Sequence, residues 1–171
     1  MGTDSEMTYS VLMAVYGKEN PEFLRQSIES MLNQTLPFSD FVLVCDGPLS
    51  HELNEVITWA QKQMGEKLQL IRLKENKGLG NALHVGVPRC RCSVIARMDS
   101  DDISRPDRCE RQFRIIERDV ERRHILRVVH AVDHGGGARG RDLLHLHVAA
   151  QREHARRNVH AHRHCPEGQL P

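Results

Sequence analysis

Three acidic residues fall within four positions in the stretch Asp99-Ser100-Asp101-Asp102, which closes an apolar run. Carboxylates packed this closely repel one another, and such an arrangement persists where something positive compensates. Hard divalent cations take oxygen ligands, and Mg²⁺ or Mn²⁺ commonly uses one or two carboxylates together with substrate phosphates. The plainer alternative is a solvated acidic turn that caps the next helix, with Arg97, Arg105 or Arg108 in salt bridges. Arg97 reads more readily as structural, and Arg105 and Arg108 as surface partners of Asp107 or Glu110. Two more polar signals end apolar runs: Tyr16 after the first, and Asp46 in Asp46-Gly47-Pro48 after the second. The Asp-Gly pair also suits a turn with no chemical task. Asn76-Lys77-Gly78-Leu79-Gly80 follows the third run; its glycines either admit close backbone approach or simply make the turn.

Other chemistries lack their spacing. The first apolar run ends in Tyr16-Gly17-Lys18-Glu19-Asn20 rather than in G-x-G-x-x-G, and no G-x-x-x-x-G-K-[ST] occurs anywhere. Both phosphate-cradling motifs are therefore missing. Cys90 and Cys92 form a lone C-x-C with no second pair, which is not the spacing of a thiolate metal site. His84 falls in a helical stretch and reads as a surface or hydrogen-bonded histidine.

These residues need elements to hold them. Tyr9–Val15 and Phe41–Cys45 read as buried strands, and Leu68–Leu73 and Ser93–Met98 as a third and a fourth strand. Pro21 opens a helix running to about Gln34, with Leu24, Ile28, Met31 and Leu32 at helical spacing. Ser50 is a plausible N-cap for a helix to about Met64 with Leu53, Val56, Ile57 and Ala60 on one face. A third helix spans Asn81 to about Val87. A fourth opens at Pro106 with Cys109, Phe113, Ile116 and Val120 as its apolar face. Strands alternating with helices predict parallel pairing and right-handed crossovers, and mostly apolar strands fit a sheet covered on both faces. In such a sheet the ligand crevice lies beyond the C-terminal strand ends, where Tyr16, Asp46 and Asp99–Asp102 fall.

The chain of 171 residues has room for one domain. No apolar stretch is long enough to span a membrane, and the N-terminus lacks the basic region of a signal peptide. Five cysteines without a framework suit a reducing compartment. The net charge of +1 hides two unlike segments: residues 1–121 carry 15 Lys and Arg against 19 acids, whereas residues 122–171 carry 9 Arg, no Lys and 4 acids. The later segment also lacks aromatic residues, Ser, Thr and Met, and holds nine of the eleven histidines. The sequence favours an out-of-frame origin for this tail. The competing readings are a genuine disordered tail and a metal- or nucleic-acid-binding segment. His145 and His147, or His160, His162 and His164, would supply the metal ligands.

The ordered set SVLMAVYGKENPEFLRQSIESMLNQT, FVLVCDGP, LKENKGLGNAL and ARMDSDD followed by ISRPDR resembles family 2 glycosyltransferases of the GT-A fold, over about residues 8–118. Among these it is most similar to the bacterial enzymes of exopolysaccharide and O-antigen synthesis. The resemblance implies a Rossmann-like, mostly parallel α/β sheet flanked by helices, here incomplete, with an irregular or disordered C-terminal tail. Residues 1–120 would be the nucleotide-sugar-binding part, and residues 121–171 an Arg/His-rich tail of doubtful authenticity. Tyr16 would lie against the donor base and Asp46 would accept a hydrogen bond from it. Asn76 and Gly78 would face the nucleotide and Asp99 the ribose. Asp101, with Asp99 in the same D-x-D signature, would bind Mn²⁺ or Mg²⁺ at the diphosphate, and Asp102 would support the loop. Cys45 stands where the family's usual first acid would be.

The resemblance implies sugar transfer from a nucleotide sugar, commonly a UDP-sugar, to a saccharide or polyprenyl-diphosphate-linked acceptor in cell-surface polysaccharide synthesis. It implies a cytoplasmic enzyme, at the inner membrane face without a spanning segment. The general base comes from the family's second half, which the tail replaces, so no catalytic base is assigned and enzymatic activity is left open. The alternatives are an inactive nucleotide-sugar-binding fragment and a nucleic-acid- or metal-binding protein acting through its tail.

Overall fold

In the computed structural model, which describes residues 8–119, 127–130 and 145–148, strand β1 (Ser10–Tyr16) lies inside a six-stranded sheet. The order across the sheet is β3-β2-β1-β4-β5-β6, with β2 spanning Asp40–Asp46, β3 Leu68–Arg72, β4 Val94–Asp99, β5 Arg127–His130 and β6 His145–Val148. Pairing is parallel from β3 through β5, and β6 runs antiparallel to β5. The parallel α/β arrangement expected from the sequence is thus present. Within the segment read as an irregular or disordered tail, the described residues are the two four-residue strands β5 and β6. Strand β5, Arg-Val-Val-His, pairs on the edge that β4 leaves open, and β6, His-Leu-His-Val, pairs on the outer edge of β5.

Helix α1 (Pro21–Leu32) starts where Asn20 Oδ1 accepts the Glu22 amide and Pro21 takes the first turn; it ends two residues short of Gln34. Helix α2 (His51–Met64) is capped by Ser50, whose hydroxyl accepts the Leu53 amide. Helix α3 (Leu79–Gly86) begins two residues earlier than its apolar pattern suggests, because Gly78, at φ 86°, forms the cap. Helix α4 spans Arg108–Asp119; Cys109 and Phe113 are buried as expected, and the side chains of Ile116 and Val120 lie outside the described residues.

Side chains alternate across the sheet, which divides each strand between two cores. Val11, Met13 and Val15 of β1, Phe41, Leu43 and Cys45 of β2, and Ala96 and Met98 of β4 pack beneath α1, α2 and α4. Leu12, Val42, Val44 and Ile95 face the other way, under α3 and its Ala82. Helix α3 approaches closely because position 86 is glycine: a Cβ there would meet Leu12 Cδ1 at 2.4 Å.

Arg108 corrects the sequence reading. It is buried, not a surface partner of Asp107 or Glu110. Its guanidinium runs beneath β4, where Nη1 donates to the Arg97 carbonyl (3.3 Å) and Nη2 lies 3.1 Å from Met31 Sδ and 3.6 Å from Met98 Sδ. Arg108 and Cys109 lie on the buried face of the first turn of α4, whereas Arg111 is exposed. Arg105 does pair with Asp107, at 3.6 Å, and His84 is exposed.

Candidate active site

The core assignment fixes which strand-end side chains share a face. Ala14 and Tyr16 lie on the α3 side of β1, Asp46 on that side of β2, and Arg97 and Asp99 on that side of β4. Helix α3 covers the lower part of this face. Above it, at the C-terminal strand ends, a cleft of about 500 Å³ opens. Tyr16, Asp46, Asn76, Gly78, Asp99 and Asp101 all line it, so the structure brings every residue selected from the sequence to one place. Cys45, one residue before Asp46, points into the opposite core, so the missing first acid removes nothing from the cleft wall.

Three loops build the floor. The Asp46 carboxylate accepts the Lys77 amide at 2.9 Å and the Gly78 amide at 2.8 Å, tying the end of β2 to the start of α3. Gly47, at φ 90°, follows it so closely that a Cβ would lie 2.7 Å from the Asn76 nitrogen. A Cβ on Gly17 would lie 2.6 Å from the Pro48 carbonyl oxygen. Backbone cannot give way as a flexible side chain can, so these contacts make the three loops a single unit.

The far wall carries the acidic turn. Arg97 and Asp99, two apart on one strand, form an ion pair of 2.6 Å with both side chains largely covered. Among the described residues, Arg97 Nε has no hydrogen-bond partner. Asp99 presents its carboxylate on the cleft side, while its carbonyl accepts the Ser27 hydroxyl at 2.8 Å. Asp101 is exposed, and Ser100 between the two acids is buried. Glu19, Leu79 and Ser100 also line the cleft and were not selected from the sequence. The signal available for Glu19 was its place three residues beyond the end of β1, in the zone where such sheets bind ligands.

Asp99 and Asp101 are hard oxygen donors on one wall. Among the described residues no three His, Cys, Asp or Glu side chains converge to hold an ion by themselves. The donor set therefore fits a cation that takes one or two carboxylates and completes its shell with phosphate and water. Cys90 and Cys92 sit at the opposite, N-terminal end of the strands; Cys90 Sγ lies 3.7 Å from the Gly86 carbonyl and burial pushes its thiol up to about 12. Of the tail histidines, His145 and His147 lie two apart on β6, with His145 in register with His130; His160, His162 and His164 lie outside the described residues. Among the described residues no helix is long and apolar enough to cross a membrane.

Comparison with known proteins matches this geometry to a family. The chain is 46% identical over 110 residues to the amylovoran biosynthesis glycosyltransferase AmsE of Erwinia amylovora, a match covering 64% of this chain and 40% of that enzyme. It is 35% identical over 108 residues to the Escherichia coli UDP-Gal:alpha-D-GlcNAc-diphosphoundecaprenol beta-1,3-galactosyltransferase, covering 63% and 38%. Less than half the length of these curated relatives is thus spanned. Among solved structures, S. aureus TarS 1-349 in complex with UDP-GlcNAc superposes with a TM-score of 0.61 at 18% identity, over 78% of this chain and 37% of that one, a likeness of fold. The model of glycosyl transferase family 2 matches residues 10–163, and the chain belongs to that family.

Proposed function

We propose that this chain forms the nucleotide-sugar-binding part of a glycosyltransferase that moves a sugar from a UDP-sugar to a saccharide or lipid-diphosphate-linked saccharide at the inner membrane face. Residues 1–120 hold that part. One observation carries the reading: residues from four separate segments, chosen for their chemistry, line a single cleft at the C-terminal strand ends. The names of relatives support the substrate class, since the E. coli enzyme takes UDP-galactose and a diphosphoundecaprenol-linked acceptor.

In this reading Tyr16, 44% exposed at the cleft mouth, lies against the base, and Asn76 and Gly78 form the wall beside it. Asp99, held by Arg97, faces the ribose. Asp101, with Asp99 behind it, holds Mn²⁺ or Mg²⁺ at the diphosphate. When bound, that cation neutralises charge on the departing nucleoside diphosphate as a Lewis acid.

A second reading, a nucleotide-sugar binder without turnover, is favoured by the state of the carboxylates. Glu19, Asp46 and Asp99 are already engaged with Ser100, with the loop amides and with Arg97. No described residue is therefore assigned as the base that deprotonates an acceptor hydroxyl. Titration with UDP and Mn²⁺ tests the binding reading, and release of UDP from UDP-sugar in the presence of lipid-linked acceptor tests transfer. Binding without release selects the second reading; no binding removes both.

A further inference from the structure

The segment from Asp99 to the start of α4 has little regular structure of its own, and several of its polar groups bond to α1 and to the residues flanking that helix. Ser27 and Ser30, with Gln34 just beyond the helix end, fall at i, i+3 and i+7 and make one polar stripe. Ser27 donates to the Asp99 carbonyl (2.8 Å), Ser30 accepts the Ser104 amide (3.0 Å), and Gln34 donates to the Arg105 carbonyl (2.7 Å) while accepting the Cys109 amide (3.0 Å). Ahead of the helix, Glu19 accepts the Ser100 hydroxyl at 2.6 Å through one oxygen and the Asn20 amide at 2.9 Å through the other. Ser100 and Ser27 are buried, so the bonds they donate are partly shielded from water.

Two of these anchors grip the acidic turn itself: Ser27 holds the Asp99 backbone, and Glu19 holds the Ser100 side chain between Asp99 and Asp101. A third carboxylate beside two others adds repulsion unless its oxygens are occupied. Both Glu19 oxygens accept hydrogen bonds from the protein, which fits a tether better than a ligand.

We propose that Glu19 is a positioning residue that acts through Ser100 to set the aspartates of the acidic turn for a divalent cation and diphosphate, an inference that rests on the binding reading above. The probes are UDP and Mn²⁺ on the full chain, read by calorimetry with Mn²⁺ or with EDTA, and by the electron paramagnetic resonance signal of bound Mn²⁺. Unmutated protein must first show Mn²⁺-dependent UDP binding; if it does not, the proposed function falls and this inference with it. Given that binding, Glu19→Ala and Ser100→Ala are each expected to weaken Mn²⁺-dependent affinity about tenfold, the scale of one hydrogen bond to a charged group. The double variant is expected to be no weaker than either single, and Glu19→Gln to restore binding, because its amide oxygen still accepts the Ser100 hydroxyl. The proposal is overturned if Glu19→Gln is as weak as Glu19→Ala while Ser100→Ala is silent, which would make Glu19 a direct ligand. It is equally overturned by additive losses, or by no loss in any variant. Thermal melting of each variant separates a lost anchor from a lost fold.

Discussion

Both oxygens of Asp46 accept backbone amides of the loop entering α3, and this limits what else the residue does. Replacing it with alanine frees the Lys77 and Gly78 amides together. Hydrogen exchange at these two amides is expected to accelerate, and UDP affinity to fall about tenfold or more, because the wall beside Asn76 loses its fixed position. The neighbouring Cys45 makes the opposite case. Placing an acid there, by Cys45→Asp, would send a carboxylate into the core under α1 and α2. Thermal melting is expected to show a loss of at least about 2 kcal/mol, with no gain in nucleotide affinity. The chemistry of this position was legible as a departure from the family pattern, but its direction was not, since strand parity is known only once the cores are assigned. Glu19 and Arg108 escaped for a related reason. Each is defined by a partner far along the chain, Ser100 for one and Met31 and Met98 for the other, and no local pattern announces such contacts.

Among the elements, β1 to β4 were the most legible because they are mostly apolar runs in the sequence, which β5 and β6 are not. Helix α2 was equally plain: a serine cap followed by apolar residues three and four apart. Its Ile57 is wholly buried in the larger core, and Ile57→Ala is expected to cost about 2–5 kcal/mol, measured by denaturant unfolding. Ser50→Ala, which removes the cap bond to Leu53, is expected to cost about 1 kcal/mol in the same experiment. The start of α3 was misplaced because Gly78-Leu79-Gly80 reads as a turn. A glycine cap with positive φ lets the helix begin inside what composition marks as loop.

At the scale of the molecule, the buried thiols and phenol bias stability toward lower pH. Burial pushes the Cys45 thiol from its ordinary 9.0 up to about 11, and burial followed by the nearby Asp40 raises Cys90 to about 12. Burial also raises Cys109, and burial with the neighbouring Cys109 raises Tyr9. A folded state that holds these protons more tightly than the unfolded chain is fully stabilised by them below about pH 9. That contribution is lost as pH rises through about 11 to 12. Alkaline unfolding monitored by circular dichroism is expected to begin above pH 9, and to begin later in Cys45→Ala relative to that variant's own stability at neutral pH.

The sheet order also sets a sequence of events in time. Strands β1, β2 and β3 and the helices between them are complete by residue 72, whereas β4, which pairs with the other edge of β1, arrives more than 20 residues later. Closing that longer loop is the slower step, so β1 waits with one edge bare while the chain emerges. The strand that docks on that edge brings Arg97, Asp99 and the turn behind it. If the proposed nucleotide binding holds, assembly of this half of the sheet and the gain of affinity are expected to coincide, and UDP with Mn²⁺ added during refolding is expected to report it directly.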